Sequence, residues 1–184
     1  LHLVSGSGMY HTGVPTYSEN GILGFQIWFN IPRDKKMDKP RSSAFQNSDF
    51  LHVVEEGFDV KVLTGVYKGI KGPLDKSNLG LRMLDVRVKN EVSIEREILK
   101  KGYIYVYQGS GILNDIDVLE KQTAYILDEG TYNFKNIGNN ELRFLFAEGV
   151  PLEEPIAWKG PIVMNTQEEL RVAFTELNNK TFIK

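Results

Sequence analysis

The sequence has no cysteine, which excludes disulfides, thiolate metal sites and cysteine nucleophiles, and fits a reducing compartment. Histidine is almost as scarce, with 3 in 184 residues, so a histidine-built metal centre has few donors to draw on. No apolar run approaches the roughly eighteen residues of a membrane span. An excess of one charge is missing too. The net charge is −2 with both signs interspersed, which leaves no electrostatic footprint for nucleic acid. The chain starts at Leu1 with neither an initiator methionine nor a signal-peptide pattern, and is expected to be a piece of something longer. Length is not a handicap: a domain of this size buries roughly 70% of its unfolded surface without a covalent staple.

What is present reads mostly as β-structure. From Phe25 to Ile31 the chain alternates, with Phe25, Ile27, Phe29 and Ile31 on one side and Gln26, Trp28 and Asn30 on the other. That period of two predicts a strand with one face on a core, ended by Pro32. An indole between two amides suits a cavity wall, so Gln26, Trp28 and Asn30 form a candidate pocket. Upstream, Leu1 to Val4 resembles a strand end and Ser5-Gly6-Ser7-Gly8 a loop. No helix pattern follows that loop, so a phosphate cradle is not expected. Downstream, residues 34–48 are polar and predict a linker at a domain boundary. Lys35, Lys36, Lys39 and Arg41 read there as a solvated face rather than a binding patch.

Short strand patterns then recur between turn signals. Phe58 to Leu63 alternates, and a loop with Gly65, Gly69, Gly72 and Pro73 follows. Leu84, Val86 and Val88 come next, then Val92 and Ile94, then the β-rich pentad Tyr103 to Tyr107. Thr123–Leu127, Thr131–Phe134 and the alternating Leu142, Phe144 and Phe146 complete the series. Strands this short at such spacing predict an antiparallel sandwich or barrel. Only the end changes period. Thr166 and Glu169 make a capping box, and Leu170, Ala173, Phe174 and Leu177 follow at helical spacing. One amphipathic helix is expected, ending near Asn178-Asn179 and covering a sheet face or edge.

The chemistry-bearing residues are few. His2 and His52 read as structural or surface histidines, and His11 stands out because it follows the glycine loop near the Gln26/Trp28/Asn30 stretch. One histidine is not a metal site. Nor is it a general base without a partner.

Several motifs resemble the pirin family. They are Ser5-Gly6-Ser7-Gly8-Met9-Tyr10-His11-Thr12, Gly24 to Pro32, Lys36-Met37 with Pro40, Leu152-Glu153-Glu154-Pro155, and Gly160 to Thr166 with Glu168-Glu169. Their order and spacing match across nearly the whole chain. The resemblance implies a bicupin, two β-barrels in tandem with iron in the N-terminal one. Some family members act as quercetin dioxygenases and others as iron-dependent nuclear cofactors of transcription. The family's iron is held by a His-x-His pair and by the His and Glu of a His-x-Glu motif. His11 falls on the histidine of the second motif, while the glutamate position is Gly13. The His-x-His pair would precede Leu1.

The expected fold is therefore all-β. It has one complete cupin-like (double-stranded β-helix, jelly-roll) barrel, a partial second barrel and one C-terminal helix. The division expected is 1–33 as the remnant of an N-terminal cupin, 34–48 as linker, and 49–184 as the C-terminal cupin with its helix. The second barrel has no histidine between Tyr103 and Gly149, as in the family's metal-free C-terminal cupin. The expected function is a non-catalytic pirin-like protein binding a protein partner or small ligand; the alternative is a metal-dependent quercetin 2,3-dioxygenase-type enzyme. No cofactor is expected in this chain, although the family uses iron. A homodimer is an expected way to cover the Phe25–Ile31 row. Neither membrane nor direct nucleic-acid contact is expected, and the expected location is intracellular, cytoplasmic or nuclear.

Overall fold

A computed structural model describes residues 1–11, 13, 19, 21–74, 80–89, 93–98 and 100–183. The chain divides into two compact units, Leu1–Ala44 with Leu152–Lys184, and Phe45–Pro151. The break after Ala44 falls inside the expected linker. The C-terminal segment packs in one unit with the N-terminal residues.

In the first unit, β1 (His2–Ser5) pairs antiparallel with β2 (Arg41–Ala44). The predicted linker thus contains a strand. The predicted strand at Phe25–Ile31 does not form: residues 21–32 carry no ladder, and β1 has taken β2 as its partner. Alternation marks a chain that suits a sheet, but a strand exists only when a neighbour supplies the other half of its hydrogen bonds. The apolar row is half covered, with Phe25 41% exposed and Ile27, Phe29 and Ile31 intermediate.

The second unit is the barrel. Its strands are β3 (His52–Glu55), β4 (Phe58–Thr64), β5 (Val66–Tyr67), β6 (Ile70–Lys71), β7 (Arg82–Val88), β8 (Ser93–Ile98), β9 (Gly102–Gln108), β10 (Gly111–Leu113), β11 (Asp117–Leu119), β12 (Thr123–Leu127), β13 (Gly130–Asn136) and β14 (Leu142–Glu148). A 6-stranded sheet runs β12-β9-β14-β7-β4-β3 and a 4-stranded sheet runs β11-β10-β13-β8, every pairing antiparallel. The register explains the core. Val60, Val86, Phe144 and Val106 lie opposite one another across β4, β7, β14 and β9, so one set of alternate residues faces inward. They join Ile98, Leu113, Leu119, Leu127 and Phe134 in one apolar cluster. Each such side chain contributes roughly 1.5–3 kcal/mol by leaving water. Phe134 and Phe144 stack with ring centroids 5.1 Å apart. At the β9–β10 turn Gly109 has φ +74°, and a Cβ there would lie 2.4 Å from the Glu141 carbonyl oxygen; only glycine fits. Val92, expected within a strand, lies outside the described residues.

The chain closes with the hairpin β15 (Ala157–Lys159) and β16 (Ile162–Met164), followed by α1 (Gln167–Asn178) in the first unit. The capping box forms as expected. Thr166 Oγ1 accepts from Glu169 N at 3.1 Å, and Glu169 Oε2 accepts from Thr166 N at 2.8 Å. Leu170 and Ala173 pack with Ala157 and Ile162, flanked by Phe174 and Met164. The helix stripe thus covers one face of its own hairpin.

Candidate functional site

His11 is exposed in an irregular stretch after Gly8. Its ring meets that of His2 edge-to-face, with centroids 5.8 Å apart and planes at 87°. His2 is placed there by β1, and its Nε2 is hydrogen-bonded to Ser42 Oγ on β2 at 2.5 Å. Two of the chain's histidines, nine positions apart in sequence, are thus neighbours in the fold. His2 reads from sequence as a structural or surface histidine, and no local pattern signals its contact with His11. Gly13 offers no side chain, and nothing lies within 4 Å of where its Cβ would be. Thr12 lies outside the described residues.

Gln26 and Trp28 are exposed, and Asn30 is partly buried. Trp28 sits against Trp158 of β15 with ring centroids 6.0 Å apart, both indoles remaining largely open to solvent (50% and 68%). The Asn30 side-chain oxygen accepts a hydrogen bond from Lys36 Nζ. Lys36, read as part of a solvated basic run, is 5% exposed. Burial lowers its pKa, and the nearby Glu154 and Glu169 carboxylates pull it partly back up. With Lys36 inside, the 35–41 lysines and arginine do not form a continuous basic surface.

Around Lys36 lies a polar network that ties residues 30–36 to the C-terminal segment. Glu154 Oε2 accepts from Arg33 N at 2.9 Å and from Asn165 Nδ2 at 3.0 Å. Asn165 Nδ2 also donates to Pro155 O at 2.9 Å. Glu169 accepts from Arg33 Nη2, Asn165 N and Thr166 N. What burial it has pushes its carboxyl up, but the hydrogen bonds from Thr166, Arg33 and Asn165 outweigh that and hold it below the usual carboxylate range. This is a structural clasp in which the buried Lys36 amine and Asn165 side-chain nitrogen meet oxygens of less buried neighbours.

Among the described residues the donors do not make up a cupin iron set. His11 and His2 supply two imidazoles, Gly13 supplies nothing, and among the described residues no group of three or more His, Cys, Asp or Glu is placed to hold a metal ion. A redox metal with open positions needs at least three protein ligands of the two-histidine, one-carboxylate kind.

The two facing antiparallel sheets and the single C-terminal helix make this an all-β protein of the cupin class. Residues 83–183 match the pirin C-terminal cupin domain, more than half of the chain, and the chain belongs to the pirin family. It is similar to Pirin-1 of Arabidopsis thaliana, with 27% identity over 96% of this chain and 63% of that protein. It is 28% identical to Pirin of Rattus norvegicus over 96% of this chain and 62% of that protein. Among solved structures, the quercetin 2,3-dioxygenase from Acinetobacter baumannii superposes with a TM-score of 0.78 at 28% identity, over 84% of this chain and 55% of that one. The chain thus spans about three fifths of the length of these two pirins. Among the described residues no helix is long and apolar enough to cross a membrane.

Proposed function

We propose that this chain acts as a pirin-type binding protein, engaging a protein partner or a small ligand, and does not itself catalyse dioxygenation. The observation that carries this reading is Gly13. At the position beside His11 where the resemblance calls for a carboxylate, the chain has no side chain at all. One or two imidazoles do not hold an iron while leaving room for dioxygen and substrate. The exposed Trp28–Trp158 pair supports a binding role, since indoles open to solvent are favoured anchors for a partner.

The competing reading is a quercetin 2,3-dioxygenase-type oxidoreductase, favoured by the similarity to the Acinetobacter enzyme. The two are separated by loading the protein with ferrous iron and following oxygen consumption with quercetin under air. The binding reading expects no turnover above iron in buffer, and none that changes in His11→Ala. Iron-dependent turnover that disappears in His11→Ala overturns it.

A further inference from the structure

Inside the barrel unit lies a cavity of about 40 Å³ that has no part in the His11 region. Its wall is almost entirely apolar, with Phe58, Phe134, Phe144 and Phe146 joined by Val60, Leu84, Val86 and Ile98. Two polar residues reach it, Tyr67 and Arg82. Tyr67 sits on the short β5–β6 hairpin, within a stretch that reads as a loop from sequence. Gly65 at its entrance has φ +74°, and a Cβ there would fall 2.9 Å from Arg82 Cα, so the close approach of the hairpin to β7 requires glycine.

Tyr67 is only 8% exposed, and its buried hydroxyl has no hydrogen-bond partner among the described residues. An unmet buried hydroxyl is destabilising, and a phenylalanine would fill the same wall without that cost. The hydroxyl is explained if something inside the cavity meets it. A lone water would have only the Tyr67 hydroxyl and the Arg82 guanidinium to meet, the low end of the two to four polar partners a buried water wants, and would leave the rest of a hydrocarbon wall unfilled. An apolar molecule carrying one oxygen suits the wall better.

Charge narrows the class. Arg82 Nη2 lies 2.7 Å from Glu148 Oε1, with side chains 17% and 4% exposed, and Arg82 Cζ stands 5.5 Å over the Phe146 ring. That pair is already neutral. A carboxylate ligand would add an uncompensated negative charge next to Glu148, which burial penalises. Volume narrows it further: at roughly 10–15 Å³ of such space per water-sized group, the cavity takes about three or four heavy atoms.

We infer that the interior of the C-terminal barrel is a binding site for a small neutral molecule with one carbonyl or hydroxyl oxygen, held by hydrocarbon packing and a hydrogen bond to Tyr67 Oη. Acetone is the probe of that chemistry, and acetate is its charged counterpart.

The test is a titration of the whole chain, methyl-labelled for NMR, with acetone. Saturable shifts are expected at the Val60, Leu84, Val86 and Ile98 methyls, with Kd raised about fivefold in Tyr67→Phe, the loss of one hydrogen bond. Acetate at equal concentration should leave those methyls unmoved. A second variant, Val86→Ile, puts one more methyl group into the space and should abolish the shifts while the protein stays folded. The inference is overturned if acetone gives no saturable shift at these methyls, as when only water occupies the space. Equal affinity in wild type and Tyr67→Phe, undiminished binding in Val86→Ile, or acetate binding as well as acetone would overturn it equally.

Discussion

Arg33 donates through Nη2 to Glu169 Oε1 at 2.9 Å, joining residues 136 positions apart in the chain. The same carboxylate closes the capping box of α1 through Oε2. One side chain therefore both starts the helix and holds the N-terminal segment against it. The two tasks differ in weight. Arg33 is 62% exposed in this ion pair, and exposed pairs contribute little. Arg33→Ala should leave the urea midpoint close to wild type, whereas Thr166→Ala, which removes the cap from Glu169 N, should cost about 1 kcal/mol. Equal losses in the two variants would mean that the clasp, not the cap, sets the stability of this segment.

Asn136 is a polar hub inside the barrel, 1% exposed. Its Nδ2 donates to Val88 O at 3.0 Å and Asn140 O at 2.9 Å, and its Oδ1 accepts from Gly138 N at 2.9 Å. Leucine has a similar size but meets none of these groups. Asn136→Leu should therefore destabilise by on the order of 2–4 kcal/mol, because several buried backbone groups lose their partner together. Chemical denaturation measures this, and a loss under about 1 kcal/mol would show that the backbone finds other partners.

Tyr107 donates to Asp85 Oδ1 at 2.6 Å. Burial, then the bond to Asp85 and its charge, raise the phenol well above the ordinary tyrosine range. A raised acid keeps its proton in the folded state while the unfolded chain releases it near pH 10. Stability from this group is thus fully present below about pH 10 and falls as pH rises beyond it. Tyr103 is raised too, by burial, so it shares the slope. The wild-type denaturation midpoint should fall more steeply between about pH 9.5 and 11 than that of Tyr107→Phe; parallel curves would remove Tyr107 from the account.

The parts of the fold that were legible in sequence are those whose cause is local or periodic. Leu142, Phe144 and Phe146 announce β14 because each faces the same core. Thr166 and Glu169 announce α1 because cap and helix are adjacent. The Phe25–Ile31 alternation is just as clear, yet it makes no strand, since pairing depends on a neighbour that local pattern does not name. Lys36 looked solvated for the same reason: Asn30 lies nearby in the chain, but Glu154 and Glu169 reach it from more than a hundred residues away. Tyr67 was invisible because a two-residue strand carries no period. His11 stands out by motif, and its neighbour His2 only by the folded contact of the two rings.

That neighbour sharpens what Gly13 means. The His2 and His11 rings are 5.8 Å apart, and position 13 has open space around it, with no backbone strain that a side chain would aggravate. Gly13→Glu therefore adds, without steric conflict, a carboxylate two positions from His11, supplying in kind the donor that a two-histidine, one-carboxylate site lacks here. Losing even an outer-shell partner costs metal sites roughly tenfold in affinity, so gaining a direct ligand should tighten ferrous iron by at least about that factor. Anaerobic calorimetry compares wild type with Gly13→Glu, and the gain should vanish when His11→Ala is added. It should shrink with His2→Ala if the β1 histidine is the second donor. If Gly13→Glu binds iron no better than wild type, a missing carboxylate is not what separates this chain from a metal-binding cupin, and the binding-protein reading loses its main support.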